Sequence, residues 1–251
     1  MITPQPVRRH LAAAILLACG VGGAAVAGAA GVMISPVVLE IASPRKAIAV
    51  TVTNGGDRPM TFQADTFAWQ QIDGVDRYEE TDELLVVPPI VEVPAHSSQV
   101  IRVMLRSPAP SPRERTYRLA LEDVTEEQAA ATGQASIAFK LSHSLPVMIA
   151  PAGKVLHAVR WKPCVHQAAV QPAEACVRLL NAGNRRMKVK TLMVTGDGWQ
   201  QALVLKQGEN VLAGAEREWR VPLANGQTGA LRAVRVETAD GGTLQAGDGG
   251  S

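Results

Sequence analysis

From Val37 to Asp240 the chain repeats one pattern, short runs of alternating apolar and polar residues, each closed by a turn signal. Ile48, Val50 and Val52 alternate with Ala49, Thr51 and Thr53 before Asn54-Gly55-Gly56-Asp57 turns the chain. Successive side chains of a strand point to opposite faces, so each such run predicts a half-buried β-strand. Further strands are expected over Thr61–Trp69, Leu84–Val87, Val100–Leu105 and Thr116–Val124. Turns fall near Asp73-Gly74 and Ala95–Ser98, and Pro108, Pro110 and Pro112 mark a loop. A second set of strands is expected near Val155–Trp161, Ala175–Leu180, Met187–Thr195, Ala202–Leu205, Glu218–Val221 and Leu231–Glu237. The one helix-compatible stretch, Glu126–Ala131, is too short to be stable alone.

Short strands at this spacing predict an all-β chain of antiparallel sandwiches and exclude βαβ units. Pro151-Ala152-Gly153 interrupts the pattern, so a hinge is placed at about Ala150–Gly153. It separates a domain at 31–150 from a smaller one at 154–244, with a tail from Gln245 to Ser251 expected to be disordered.

One run stands apart. In Ala135–Pro151, Ile137, Phe139, Leu141 and Leu145 share one parity, and Ser136, Lys140, Ser142 and Ser144 share the other. The apolar set forms a ridge along one face, interrupted at His143 and entered from the loose, acidic, Ala-rich spacer Glu126–Gln134. Such a strand is either buried in its own core or shared with another chain.

Composition narrows the choices. With 19% charged and 47% hydrophobic residues in 251, the chain is an ordinary globular protein with a substantial core. A net charge of +2 and no basic run with interleaved aromatics give no support for nucleic-acid binding. At the N-terminus, Arg8 and Arg9 precede an uncharged segment from Leu11 to Val26, followed by small residues to Ala30. That order reads as a cleaved secretory signal over residues 1–30, so the mature chain is exported and does not insert in a membrane. Cys19 lies in this segment, which leaves Cys164 and Cys176. Two cysteines in an exported chain read as a disulfide, contributing roughly 3 kcal/mol in the chain-entropy model.

Candidate chemistry is sparse. His96, His143, His157 and His166 are scattered, and no phosphate loop, nucleophile elbow or zinc-binding HExxH pair occurs. Glu79, Glu80, Asp82 and Glu83 form an acidic cluster without calcium-loop spacing, which reads as a solvated loop. The sequence therefore nominates no enzyme, no cofactor and no metal site.

Several segments, in order, resemble the periplasmic chaperones of the chaperone–usher pilus pathway. These are Asn54 with Pro59 and then Trp69; Val87-Pro88-Pro89, Val93-Pro94 and Gln99–Val103; Arg113-Glu114 with Tyr117–Leu119 and Glu122–Val124; and the ridge ending Leu145-Pro146-Val147 before Pro151. The Ser-Leu-Pro-Val wording resembles the archaic or alternative branch. The resemblance implies two immunoglobulin-like β-sandwich domains joined at an angle by a short hinge, residence in the periplasm and no catalysis. It implies that the ridge strand is lent to a pilus subunit whose sandwich lacks a strand, a form of β-augmentation, and that the subunit is then delivered to an outer-membrane usher. Ile137, Phe139 and Leu141 match the lent positions, while Leu145 and Val147 are expected to pack inside.

The resemblance also places a glutamate that fixes the interdomain angle at Glu114 and its second-domain partner at Asp240. Where better-known members bridge them with an arginine, this chain has Ala150. The two basic residues that grip the subunit's C-terminal carboxylate fall on the Pro36–Val38 segment and on Pro146, so neither is present. Lys140 and Arg102 are the candidates for that grip. Self-association would protect an unliganded ridge. The competing reading is an exported structural or adhesive two-domain protein that buries the ridge in its own core.

Overall fold

The computed structural model describes residues 31–107, 109–125, 141–164, 174–224, 227 and 231–248. Alternation becomes ten strands in the first half: β1 Val32–Ser35, β2 Leu39–Ile41, β3 Ala47–Asn54, β4 Met60–Ile72, β5 Val75–Glu80, β6 Leu84–Val87, β7 Ile90–Val93, β8 Ser97–Leu105, β9 Arg115–Asp123 and β10 Ser142–Ile149. They form two sheets, one ordered β1-β3-β8-β6 and the other β2-β10-β9-β4-β5, with β7 also on β4. Val50 and Val52 of β3, Ile101 and Val103 of β8, Leu119 and Leu121 of β9 and Val147 of β10 are fully buried between them. Each burial of this kind contributes about 1.5–3 kcal/mol, and a slip of one residue would turn that face to water.

The second half holds β11 Val159–Pro163, β12 Glu174–Asn181, β13 Met187–Gly196, β14 Trp199–Val211, β15 Glu216–Pro222, β16 Leu231–Thr238, β17 Thr243–Gln245 and β18 Gly247–Asp248. Its sheets run β15-β12-β11-β18 and β14-β13-β16-β17 around a core that includes Val177, Leu179, Leu192, Val194, Val234 and Val236. The architecture is all-β, two sandwiches in sequence.

Two expectations are corrected. Val155–Ala158 is not strand, because its backbone is taken by a turn of the second domain: Asn184 N donates to Leu156 O at 3.1 Å and Gly183 N to Ala158 O at 3.1 Å. The expected disordered tail does not begin at Gln245. Gln245 pairs with Arg235, Ala246 is 5% exposed, and Gly247-Asp248 pair with Arg160-Trp161. A small side chain that fits the core edge holds this segment, a signal that composition alone does not carry. The helix-compatible stretch Glu126–Ala131 lies outside the described residues.

The two longest strands reach across the molecule. β4 and β14 each span 13 residues. At their ends Gln71 Nε2 donates to Asn210 O at 2.9 Å while Leu212 N donates to Gln71 Oε1 at 2.9 Å. Trp69 of β4 and Met148 of β10, each 2% exposed, complete the core of the second domain from the first. Both belong to the outer face of the sheet that contains β10, so that face turns toward the second domain and forms one wall of a cleft.

Candidate functional site: the free edge of the ridge strand and the interdomain cleft

β10 pairs antiparallel with β9 along its whole length, from Ser142↔Glu122 to Ile149↔Arg115. On its other side β2 runs parallel only over Val147–Ile149. No strand covers that edge over Ser142–Pro146 among the described residues. Asp123 N donates to Leu141 O at 2.9 Å, so the odd-numbered backbone groups address β9. Alternation then turns the backbone groups of Ser142, Ser144 and Pro146 to the free edge. Pro146 is tolerated there because its missing N–H removes nothing from the β9 ladder. Leu145 and Val147 point into the core at 7% and 0% exposure, whereas Leu141, of the same parity, is 53% exposed. Ile137, Phe139 and Lys140 lie outside the described residues.

The cleft wall carries a cation beside this edge. Arg118 is the register partner of Pro146, on β9 beside β10. Its guanidinium lies 4.2 Å from the Trp69 ring centroid and 5.7 Å from that of Tyr78, a cation–π arrangement that fixes its position. Its Nη1 reaches Ser144 O at 3.4 Å and its buried Nε has no hydrogen-bond partner among the described residues. Position-by-position comparison of the ridge finds only Pro146 here; the strand pairing shows the cation one strand over. Arg102 is placed elsewhere, on β8 of the opposite sheet, exposed and in register with Ala49 and Val87. The structure does not bring it to the β10 edge.

Glu114 stands just before β9 with its side chain 1% exposed, and its partners come from the second domain. Arg186 N donates to Glu114 Oε1 at 2.9 Å and Arg186 Nη1 to Oε2 at 2.8 Å; Glu114 N donates to Asn184 O at 2.8 Å. Arg186 also reaches Glu40 of β2 at 2.6 Å, and Arg185 Nη2 binds both Glu40 oxygens at 3.2 and 3.1 Å. Burial pushes the Glu114 carboxyl up, against the opposing pull of Arg186 and Arg185. At Glu40 burial also acts upward, but the two arginines together outweigh it and hold that carboxyl below the usual range. Arg185 and Arg186 were not singled out from the sequence, where an adjacent pair after a turn reads as solvated charge.

Asp240 does not touch Glu114. It accepts from the Thr238 hydroxyl, which with backbone amides holds its carboxyl below the usual range. It lines a cavity of about 490 Å³ together with Glu40, His157, Arg185, Arg186 and Lys188. Ala150 is tied to β2 through its N–H and Ile41 O at 2.9 Å.

The remaining candidates are structural. Cys164 and Cys176 form a disulfide with S–S 2.04 Å. With Glu218 they are the one cluster of three potential metal donors among the described residues, and the bonded sulfurs offer no thiolate. Glu83, from the acidic cluster, accepts from the Tyr117 hydroxyl at 2.6 Å and pairs with Arg115 at 3.2 Å. Burial, then the bond to Glu83, pushes the Tyr117 hydroxyl well above its ordinary value. His96 pairs with Asp57 in an exposed turn, and His143 lies on the ridge between Leu141 and Leu145. No nucleophile, base and orienting group converge among these residues.

Two sandwiches braced against each other, with a partly unpaired strand edge beside a cleft, define an all-β binding protein. Residues 31–154 match the family described as pili and flagellar-assembly chaperone, PapD N-terminal domain. The chain belongs to the PapD-like pilus assembly chaperones, a periplasmic, non-enzymatic family. Among solved structures it is similar to the CsuC–CsuE chaperone–tip adhesion subunit pre-assembly complex from the archaic Csu pili of Acinetobacter baumannii, at 17% identity and TM-score 0.64, covering 87% of this chain and 99% of that one. It is also similar to the class 5 fimbriae chaperone CfaA, at 14% identity and TM-score 0.60, covering 86% and 99%. The Salmonella enterica complex of SafA pilin with the SafB chaperone matches at 16% identity and TM-score 0.55, covering 86% and 93%. No curated protein sequence matches the chain.

Proposed function

We propose that this chaperone is exported to the periplasm by the signal segment within residues 1–30 and lends β10 to a pilus subunit, which it then passes to an outer-membrane usher. The observation that carries this reading is the free edge over Ser142–Pro146 beside the exposed Leu141. A strand of the subunit adds to that edge through main-chain hydrogen bonds, while alternate apolar side chains enter its groove. Leu141 is the described member of that set, and Ile137 and Phe139 continue it by sequence parity. Each, once buried, contributes about 1.5–3 kcal/mol.

Arg118 holds the subunit's C-terminal carboxylate in this reading. It shares the cleft-side face with Pro146, it is oriented by Trp69 and Tyr78, and a guanidinium binds a carboxylate through paired N–H groups. Lys140 is a second candidate cation by sequence alone, while Arg102 lies on the other sheet.

The test is co-expression with a pilus subunit and isolation of a one-to-one periplasmic complex. Replacing Phe139 and Leu141 together by glutamate abolishes the complex and leaves the melting temperature of the free chaperone unchanged. Persistence of the complex overturns the donor-strand assignment, and unfolding of the variant assigns the ridge to the protein's own core.

A further inference from the structure

We infer that Arg185 and Arg186 form a clamp by which the second domain positions the hinge end of the lent strand. The inference rests on the donor-strand reading above and adds to it the residues that aim the strand. The two carboxylates that the arginines bridge sit on either side of β10. Glu40 belongs to β2 and is the register partner of Met148; Glu114 directly precedes Arg115, the register partner of Ile149. One arginine reaches both flanks, since Arg186 binds Glu40 at 2.6 Å through Nη2 and Glu114 at 2.8 Å through Nη1. Arg185 doubles the link, at 3.1 Å to Glu40 and 3.5 Å to Glu114.

The turn that presents the arginines is itself anchored. Asn181, 2% exposed, donates through Nδ2 to Arg185 O at 2.8 Å and to Val211 O at 2.9 Å, and its Oδ1 accepts from Gly183 N at 3.1 Å. Asn184 ties the same turn to the linker, accepting from Leu156 N at 2.8 Å and donating to Lys154 O at 3.0 Å. The path from the second-domain core to the two neighbours of β10 is therefore continuous. A planar fork suits this geometry: a guanidinium can address two carboxylates at once, and an ammonium cannot hold both in plane. Loss of the Arg186 side chain leaves the buried Glu114 carboxylate with the backbone amide of that position and, as its one remaining cation among the described residues, Arg185, which lies farther from it. The free edge begins at Pro146, two residues from Met148 or about 7 Å along the strand, so an error in aim at the hinge carries to the subunit contact.

The experiment uses the full mature chain with spin labels at Glu79→Cys and Val204→Cys, positions exposed on the two domains. Arg186→Ala is expected to broaden or shift the interdomain distance distribution and to weaken capture of a co-expressed pilus subunit at least about tenfold. Arg186→Lys is expected to give an intermediate result. Glu40→Gln, at a half-exposed position outside both cores, provides a second variant whose folding does not depend on the buried pair. It is expected to change the distribution in the same direction and by less. An unchanged distribution in both Arg186→Ala and Glu40→Gln overturns the clamp. A broadened distribution with unchanged subunit capture overturns its positioning role. Failure of the unsubstituted chaperone to capture any pilus subunit instead overturns the donor-strand reading, while the distance distributions still report on the clamp.

Discussion

The two domains contain the same turn and use it differently. β3 ends in Asn54-Gly55-Gly56-Asp57-Arg58 before Met60 begins the next strand; β12 ends in Asn181-Ala182-Gly183-Asn184-Arg185 before Met187 begins its own. In both, the buried asparagine donates to the carbonyl four residues on and accepts from the amide two residues on. For Asn54 these bonds are 2.7 Å to Arg58 O and 2.9 Å from Gly56 N; for Asn181 they are 2.8 and 3.1 Å. Each also donates across its own sandwich, Asn54 to Val93 O at 3.1 Å and Asn181 to Val211 O at 2.9 Å. The turn is a local solution to one problem, ending a strand while satisfying buried backbone groups. Its cargo differs. The first carries Asp57, exposed and paired with His96, and the second carries the arginines and Asn184 into the interdomain joint. A shared scaffold thus becomes functional only where the neighbouring domain meets it.

Removing the asparagines tests this most strongly. Asn54→Ala strips four backbone partners and Asn181→Ala three from a buried site, and each is expected to cost about 2–4 kcal/mol of stability, measured by denaturant unfolding. The two variants then part. Asn181→Ala also moves the interdomain distance distribution, and Asn54→Ala leaves it unchanged. Equal effects on the joint would show that the second turn does not present the clamp.

A smaller contrast comes from the glycines. A Cβ on Gly183 would lie 2.4 Å from Leu156 O, a backbone atom of the linker that cannot swing away. Gly183→Ala is therefore expected to cost about 1–3 kcal/mol in melting experiments, through displacement of the linker. Gly55 is the counterpart of Ala182, a position that already carries a methyl group in the second turn. A Cβ there meets Gly31 O at 3.1 Å and Gly31 N at 3.8 Å, so Gly55→Ala stays within about 1 kcal/mol.

The same contrast shows what was legible in the sequence. Period-two alternation is a local signal, and it located most of the long strands and their inward faces in both sandwiches; the division of the ridge between the buried Leu145 and Val147 and the exposed Leu141, all of one parity, came from the family resemblance instead. The joint was not local. Arg186 and its carboxylates lie 72 and 146 residues apart in sequence, and nothing in an Arg-Arg pair announces a partner at that distance. Arg118 was hidden differently. It belongs to the strand beside the ridge, and only the register Pro146↔Arg118 brings it to the cleft-side edge. The repeated Asn-x-Gly-x-Arg-x-Met wording was the one available hint, and comparing the two turns would have shown that the second bears an extra arginine in place of Pro59.

The subtlest way to separate the joint's two carboxylates is pH. Burial raises the Glu114 carboxyl, so relative to the unfolded chain its protonated form is favoured. That contribution is fully present below the ordinary glutamate range near pH 4.3 and is lost as pH rises through the raised folded value. Glu40 has the opposite sign. Burial works against its charge, but Arg186 and Arg185 together lower its pKa, so its contribution is present above the ordinary range and is lost as pH falls through the lowered folded value. Glu114→Gln should therefore melt closest to the unsubstituted protein near pH 7 and fall behind it as the pH is lowered toward about 5. Glu40→Gln should show its deficit at neutral pH and close it on acidification toward about 3. Melting curves of the three proteins across that range decide the matter, because parallel curves would mean that both carboxylates titrate as they do in the unfolded chain. The expected differences are a few degrees at most, since Glu40 is half exposed and screened by solvent. Their opposite slopes distinguish a buried carboxylate held against its preference from an exposed one held in accord with it.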